Sequence, residues 1–168
     1  MTDLTLVLGG ARSGKSRTAE ALLMQHPPPW TYIATAEAFD SEMAERIAAH
    51  RARRDPRFRT CEAPRDLPER LAAESGPVLV DCLTLWLSNL MLASMPLDVA
   101  THALVAALDR PAPTVLVANE VGLSIVPDNA LARAFRDAAG VLNQRLAALA
   151  GRVVFTVAGL PLHLKGSP

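Results

Sequence analysis

The run Gly9-Gly10-Ala11-Arg12-Ser13-Gly14-Lys15-Ser16 follows the pattern G-x-x-x-x-G-K-[ST], and each residue type in it suits the grip of a polyphosphate. Glycines let successive backbone N–H groups turn inward around phosphate oxygens. A helix that starts there aims its N-terminus at the same anion. Lys15 has the length and charge to reach the β- and γ-phosphates, and the Ser16 hydroxyl can ligate Mg²⁺. A chance glycine turn is the alternative, and the strand–loop–helix setting argues against it. So does composition: Lys15 and Lys165 are the only lysines, and every other basic residue is arginine. Such a loop implies nucleotide binding and leaves the reaction open. A kinase, a GTPase switch and a RecA-like motor all carry one.

Two carboxylates and one imidazole are the remaining candidates. Mg²⁺ held by a loop hydroxyl usually needs an acid from a neighbouring strand end. Asp81 closes the apolar run Val78-Leu79-Val80 and has that position; it also precedes a helical stretch, where it would serve as N-cap. Glu120 follows Thr114–Ala118 in the same way, and ligands gather at strand C-termini in open α/β sheets. Glu120 is therefore expected to face the nucleotide. On a helix, Arg46, His50 and Arg54 share a face. Two guanidinium groups would hold the imidazole neutral and nucleophilic and attract phosphate. Spacing alone also describes a solvated basic face with an incidental histidine, and without further information that is the simpler reading.

The elements that would position these groups alternate. Strands are expected at Leu4–Leu8, Trp30–Thr35, Val78–Asp81, Thr114–Ala118 and Arg152–Val157, with a short edge strand at Leu162–Leu164. Helices are expected at Gly14–Gln25, stopped by Pro27-Pro28-Pro29, and at Ser41–Arg54, Leu67–Glu74, Leu83–Ser94, Asp98–Asp109 and Pro127–Ala150. The arginine- and proline-rich stretch Asp55–Pro68 reads as irregular. Several strands are continuously apolar, which points to a mostly parallel sheet covered on both faces. One α/β domain over residues 1–168 is the economical organisation.

Composition sets the outer bounds. The chain has 168 residues, half of them hydrophobic, enough for a full core without disulfides. Seventeen basic residues balance seventeen acidic ones. That argues against a broad electrostatic grip on nucleic acid or an anionic membrane. Val78–Met95 has the length of a membrane span, but Asp81, Thr84, Ser88 and Asn89 interrupt it and a strand-to-helix break explains it better. Cys61 and Cys82 are the only cysteines, too few for a thiolate metal site. With no basic region before the first apolar run, a reducing cytoplasm is the expected setting.

Motifs along most of the chain resemble one family. They include the phosphate loop through Arg17, Tyr32-Ile33-Ala34-Thr35, Glu42-Met43, Arg46-Ile47-x-x-His50, Arg59-Thr60-x-Glu62, Asp81-Cys82-Leu83-Thr84 and Asn89-Leu90. The longest block runs from Asn119-Glu120-Val121-Gly122 through Ile125-Val126-Pro127, Phe135-Arg136-Asp137 and Asn143-Gln144-Arg145-Leu146. The chain thus resembles the bifunctional adenosylcobinamide kinase / adenosylcobinamide-phosphate guanylyltransferases of cobalamin biosynthesis, the CobU/CobP family. The resemblance implies a RecA-like P-loop NTPase fold and two reactions. ATP or GTP would phosphorylate adenosylcobinamide with Mg²⁺ as cofactor. GTP would then pass GMP, carried on a histidine, to that phosphate. The matching histidine is His50, with Lys15 the second catalytic residue. Thr35, Arg51, Ala52, Arg53, Arg54, Glu62 and Asp81 match nucleotide-contacting positions, beside Gly9 to Ser16. Ser16 and Asp81 are the expected metal ligands, and a homotrimer the expected assembly. Two departures stand out: Phe58 occupies a position where the family usually has Trp, and Asp81 one where some members have Glu.

Overall fold

The computed structural model describes residues 3–38 and 41–167. The described residues form, in chain order, β1 Leu4–Gly9, α1 Lys15–Leu23, β2 Trp30–Ala34, α2 Ser41–Arg53, β3 Phe58–Glu62, α3 Leu67–Ala72, β4 Val78–Asp81, α4 Leu83–Leu92, α5 Leu97–Ala107, β5 Thr114–Asn119, α6 Ala130–Leu149, β6 Arg152–Val157 and β7 Leu160–Lys165. The strands form one seven-stranded sheet in the order β3-β2-β4-β5-β1-β6-β7. Every pair is parallel except β6–β7, which is antiparallel. The fold is α/β, as the alternation of strands and helices requires.

Side-chain alternation along each strand divides the core between the two faces. Leu4, Leu6, Leu8, Val78, Val80, Leu116 and Ala118 point to one face, under α3, α4, α5 and α6. Val7, Leu79, Val115 and Val117 point to the other, where Ala19 and Leu23 of α1 cover them. β1 is buried along its whole length. Leu83, Trp86 and Leu90 seat α4 in the larger core, so the apolar run 78–95 is a strand and a buried helix. Among the described residues no helix is long and apolar enough to cross a membrane.

Three expectations change. Asp55–Pro68 is not irregular throughout, because β3 lies inside it and pairs with β2 from Trp30↔Phe58 to Ala34↔Glu62. The arginines masked the alternation. Phe58 points inward against Trp30, with ring centroids 5.1 Å apart, while Arg59 points outward to ion-pair with Glu74. The last helix starts at Ala130 rather than Pro127. Asn129 caps it, its side chain accepting from the Ala132 N–H at 2.8 Å, while the Pro127 and Asp128 carbonyls accept from Arg133 at 2.9 and 2.7 Å. The edge strand is longer than Leu162–Leu164, because Ala158 and Gly159, both with positive φ, turn the chain back as a hairpin.

The Asn129 cap gives a direct check on the start of α6. Asn129→Ala should lower unfolding stability by about 1 kcal/mol, read from the urea midpoint, while Pro127→Ala should change it by less than half as much. Equal effects would place the helix start elsewhere.

Candidate functional site

The phosphate loop leaves the buried β1 at Gly9 and closes on itself. A Cβ on Gly9 would lie 2.5 Å from Ser13 Oγ and 2.7 Å from the Thr156 carbonyl oxygen, so the turn requires glycine there. Gly14 has φ 93° and a Cβ on it would meet Gly159 Cα at 3.2 Å. The Ser13 N–H donates to the Gly10 carbonyl at 3.3 Å, and Lys15 Nζ donates to that same oxygen at 3.1 Å. The lysine is thus folded back over the loop. From behind, the β6–β7 hairpin turn braces it, with Gly159 N–H donating to Ser13 O at 2.8 Å. Helix α1 starts at Lys15 with no side-chain cap and no acid in its first turn. Its N-terminal amides and dipole are offered to an anion in the loop.

Two adjoining clefts open at this end of the sheet. The larger, of about 590 Å³, is lined by loop residues Ala11 to Ser16 with Arg17, Ala49, His50, Arg53, Asn119 and Gly159. Its charged side chains, Arg12, Lys15, Arg17 and Arg53, are all basic. The smaller, of about 280 Å³, is lined by Tyr32, Ala34, Ala36, Ile47, Arg54, Asp81, Cys82 and Leu85. Lys15, Ser16, His50 and Asn119 line both. His50, on exposed α2, is therefore brought to the phosphate loop from a distant part of the sequence.

Asp81 is held at the end of β4, two strands away from β1, because β5 intervenes. The N-cap alternative does not apply: the capping position of α4 is Cys82, without a side-chain cap. Asp81 Oδ2 instead accepts from the Tyr32 hydroxyl at 2.9 Å. Burial and the Asp81 charge push the Tyr32 phenol well above its ordinary range, so it stays protonated and donating. The Asp81–Cys82 peptide bond is cis. Thr35, fully buried, donates to Cys82 O at 2.6 Å and accepts from Cys82 N–H at 2.9 Å. Asn89 donates to the Thr35 and Pro64 carbonyls at 2.8 and 3.0 Å. Burial pushes the Cys82 thiol up to about 11. The Arg54 guanidinium lies over the Tyr32 ring, Cζ 3.1 Å from the centroid, and donates to Thr60 Oγ1 at 2.9 Å. Arg53 Nη2 lies 4.0 Å from Glu20, whose carboxyl burial pushes up against the pull of Arg53 and Arg54.

The other sequence candidates lie apart from the clefts. Thr35 lines neither and spends its hydroxyl on the Cys82 backbone. Arg51 and Ala52 are exposed on α2 and line neither cleft. Glu62 ends the edge strand β3 and is exposed. Glu120 does not reach the clefts, because its Oε1 accepts from Gly122 N–H at 2.6 Å and closes its own turn. The side chains of Met43 and Arg46 lie outside the described residues, as do Phe39 and Asp40. Phe58 packs in the core between Trp30 and Tyr32, so the Trp-to-Phe departure alters strand packing.

Three residues gain importance from the structure. Asn119 stands opposite Gly9 at the end of β5 and lines both clefts. Gly159 supports the loop, and its signal in the sequence is a small-residue turn between two apolar runs. Tyr32 links Asp81 to Arg54. Among the described residues no group of three His, Cys, Asp or Glu side chains could hold a metal. One hydroxyl and one carboxylate, Ser16 and Asp81, share the smaller cleft with Lys15. That donor set is too sparse for a resident metal but fits Mg²⁺, which keeps waters and binds through one or two protein oxygens plus substrate phosphates.

Residues 5–164 match the family described as cobinamide kinase / cobinamide phosphate guanyltransferase. The bifunctional adenosylcobalamin biosynthesis protein CobP of Pseudomonas aeruginosa is 51% identical over 169 residues, covering 97% of this chain and 98% of that protein. The CobU proteins of Salmonella typhimurium and Escherichia coli, named likewise, are 43% and 41% identical, each match covering 96% of this chain and 99% of the relative. A phosphate loop and a distant histidine that meet at one cleft, inside a chain matched almost end to end, place it in a single group: the chain belongs to the cobinamide kinase / cobinamide phosphate guanyltransferase family.

Proposed function

We propose that this chain, acting as a single domain, phosphorylates adenosylcobinamide and then guanylylates the product, using the two adjoining clefts as a single site for both transfers. The observation that carries the proposal is that Lys15, Ser16 and His50 line the same two adjoining cavities. A kinase alone has no use for a histidine there, and a switch has no use for a nucleophile beside the phosphates.

In the first transfer the loop amides, the α1 N-terminus and Lys15 hold the triphosphate of ATP or GTP. The acceptor hydroxyl attacks the γ-phosphorus, the bond to the β–γ bridging oxygen breaks to release ADP or GDP, and the hydroxyl proton passes to solvent. Basic side chains around the larger cleft offset charge on the transferring group. Mg²⁺, held by Ser16 and Asp81 with the phosphates, would neutralise charge on the β- and γ-oxygens. In the second transfer a neutral ring nitrogen of His50 attacks the α-phosphorus of GTP and pyrophosphate leaves. An oxygen of adenosylcobinamide phosphate then attacks the histidine-bound phosphorus, the N–P bond breaks, and adenosylcobinamide-GDP forms. Arg53 and Arg54 border this path, and Thr35 holds the backbone of Cys82 in its wall; Glu62, exposed on the edge strand, lies away from it.

A homotrimer is the proposed assembly. Leu160, Leu162 and Leu164 expose apolar side chains along the unpaired edge strand β7, and a neighbouring copy would cover such an edge. A cytoplasmic setting accords with two unpaired cysteines.

Incubation with GTP labelled at the α-phosphate should leave one acid-labile, base-stable adduct per chain, and His50→Ala should form none. An adduct that survives His50→Ala would move the nucleophile elsewhere. Lys15→Ala should lower phosphoryl transfer to adenosylcobinamide by about 10²–10³-fold, measured by product mass at saturating triphosphate. An unaffected rate would refute the cradle.

A further inference from the structure

No motif assigns Tyr32 a role, yet it touches both halves of the site. It stands on β2 between β3 and β4 and is only 4% exposed. Its hydroxyl donates to Asp81 Oδ2 at 2.9 Å. Its ring face carries the Arg54 guanidinium, Cζ 3.1 Å from the centroid. Thr60 accepts from Arg54 Nη1 at 2.9 Å, so the guanidinium is fixed by a ring and a hydroxyl from adjacent strands.

The two contacts answer two needs. Asp81 ends its strand on a short side chain, and a carboxylate beside Lys15 and Ser16 has several orientations open to it. A buried phenol on one oxygen selects one of them, and the low local dielectric strengthens that bond. Helix α2 has the opposite difficulty. Among its described side chains only Ile47 is drawn out of full exposure, so little apolar packing fixes its place. Arg54 directly follows the helix, four residues after His50. Its stack on Tyr32 and the longer Arg53–Glu20 approach of 4.0 Å tie that end to the rest of the fold. Arginine on an aromatic face is a directional contact that lysine does not reproduce.

We propose that Tyr32 is a positioning residue for both transfers: its hydroxyl orients Asp81 against Lys15 and Ser16, and its ring seats Arg54 and with it the end of the helix that carries His50. The inference rests on the reading of Asp81 and His50 given above. The two parts are separable by substitution. Tyr32→Phe keeps the ring and removes the hydroxyl; Arg54→Met keeps Tyr32 and removes the stacked cation.

The test measures two quantities in both variants and in Asp81→Asn. One is the affinity for Mn²⁺ in the presence of GTP, from the electron paramagnetic resonance of free Mn²⁺. The other is the rate of GMP-adduct formation on His50 at saturating GTP and metal. Melting transitions confirm folding. Tyr32→Phe should weaken Mn²⁺ binding about tenfold, in the same direction as Asp81→Asn, and leave the saturated adduct rate within about twofold. Arg54→Met should leave Mn²⁺ affinity unchanged and lower the saturated adduct rate about tenfold. If Asp81→Asn weakens Mn²⁺ and Tyr32→Phe does not, the positioning role is wrong while the metal reading stands. If Asp81→Asn itself has no effect, that reading fails and takes the hydroxyl half with it. If Arg54→Met changes only the KM for GTP, Arg54 is a nucleotide contact and the seat is refuted.

Discussion

The site depends on the confinement of β1. This strand is buried on both faces and hydrogen-bonded on both edges, by β5 and β6. The chain that leaves it at Gly9 therefore has little freedom. It must turn within the space between Ser13, the Thr156 carbonyl and the hairpin turn at Gly159. That confinement fixes the course of the loop between Gly9 and Gly14. Pre-organisation of this kind spares the entropy that a mobile loop would lose on binding. The same sheet sets Asn119 level with Gly9 and brings the Asp81 end of β4 to the same rim.

Around this fixed centre the charge is uneven. The whole chain is neutral, but the charged groups of the larger cleft are all basic. The acids are spent elsewhere: Glu74 on Arg59, Asp55 on Arg57, Glu120 on its own turn. A triphosphate therefore meets an attractive field at the loop of a chain with no net charge. Helix α2 has a different character. It is exposed and anchored near its C-terminal end by polar contacts, while α4 and α6 are anchored by apolar burial. The proposed nucleophile His50 thus sits on a helix whose described side chains are mostly exposed, and the phosphate loop follows a strand buried along its whole length.

Much of this was legible from residues alone. The apolar runs gave five of the seven strands nearly to the residue, because parallel strands buried on both faces leave a continuous apolar record. The phosphate loop was legible for the opposite reason: glycine, lysine and serine at fixed spacing have few other uses. β3 escaped because Arg59, an outward-facing partner of Glu74, and Arg57 just before the strand, paired with Asp55, hid the alternation of Phe58. Glu120 looked like a ligand because it ends a strand, yet Gly122 lies two residues on and its amide captures the carboxylate. The distance between His50 and the loop was not readable from spacing at all. Spacing placed His50 on a basic helical face, and only the sheet order shows which cleft that face meets. Tyr32 stood in a family motif without a role for a similar reason, since its partners Asp81 and Arg54 lie on other elements.

If a single site serves both transfers, the stoichiometry of nucleotide binding reveals it. Equilibrium dialysis with a GTP analogue that resists cleavage at both phosphate bridges counts the sites. A single site predicts one analogue bound per chain, displaced competitively by the corresponding ATP analogue. Two analogues bound per chain, or an ATP analogue that binds without displacing the first, would contradict it.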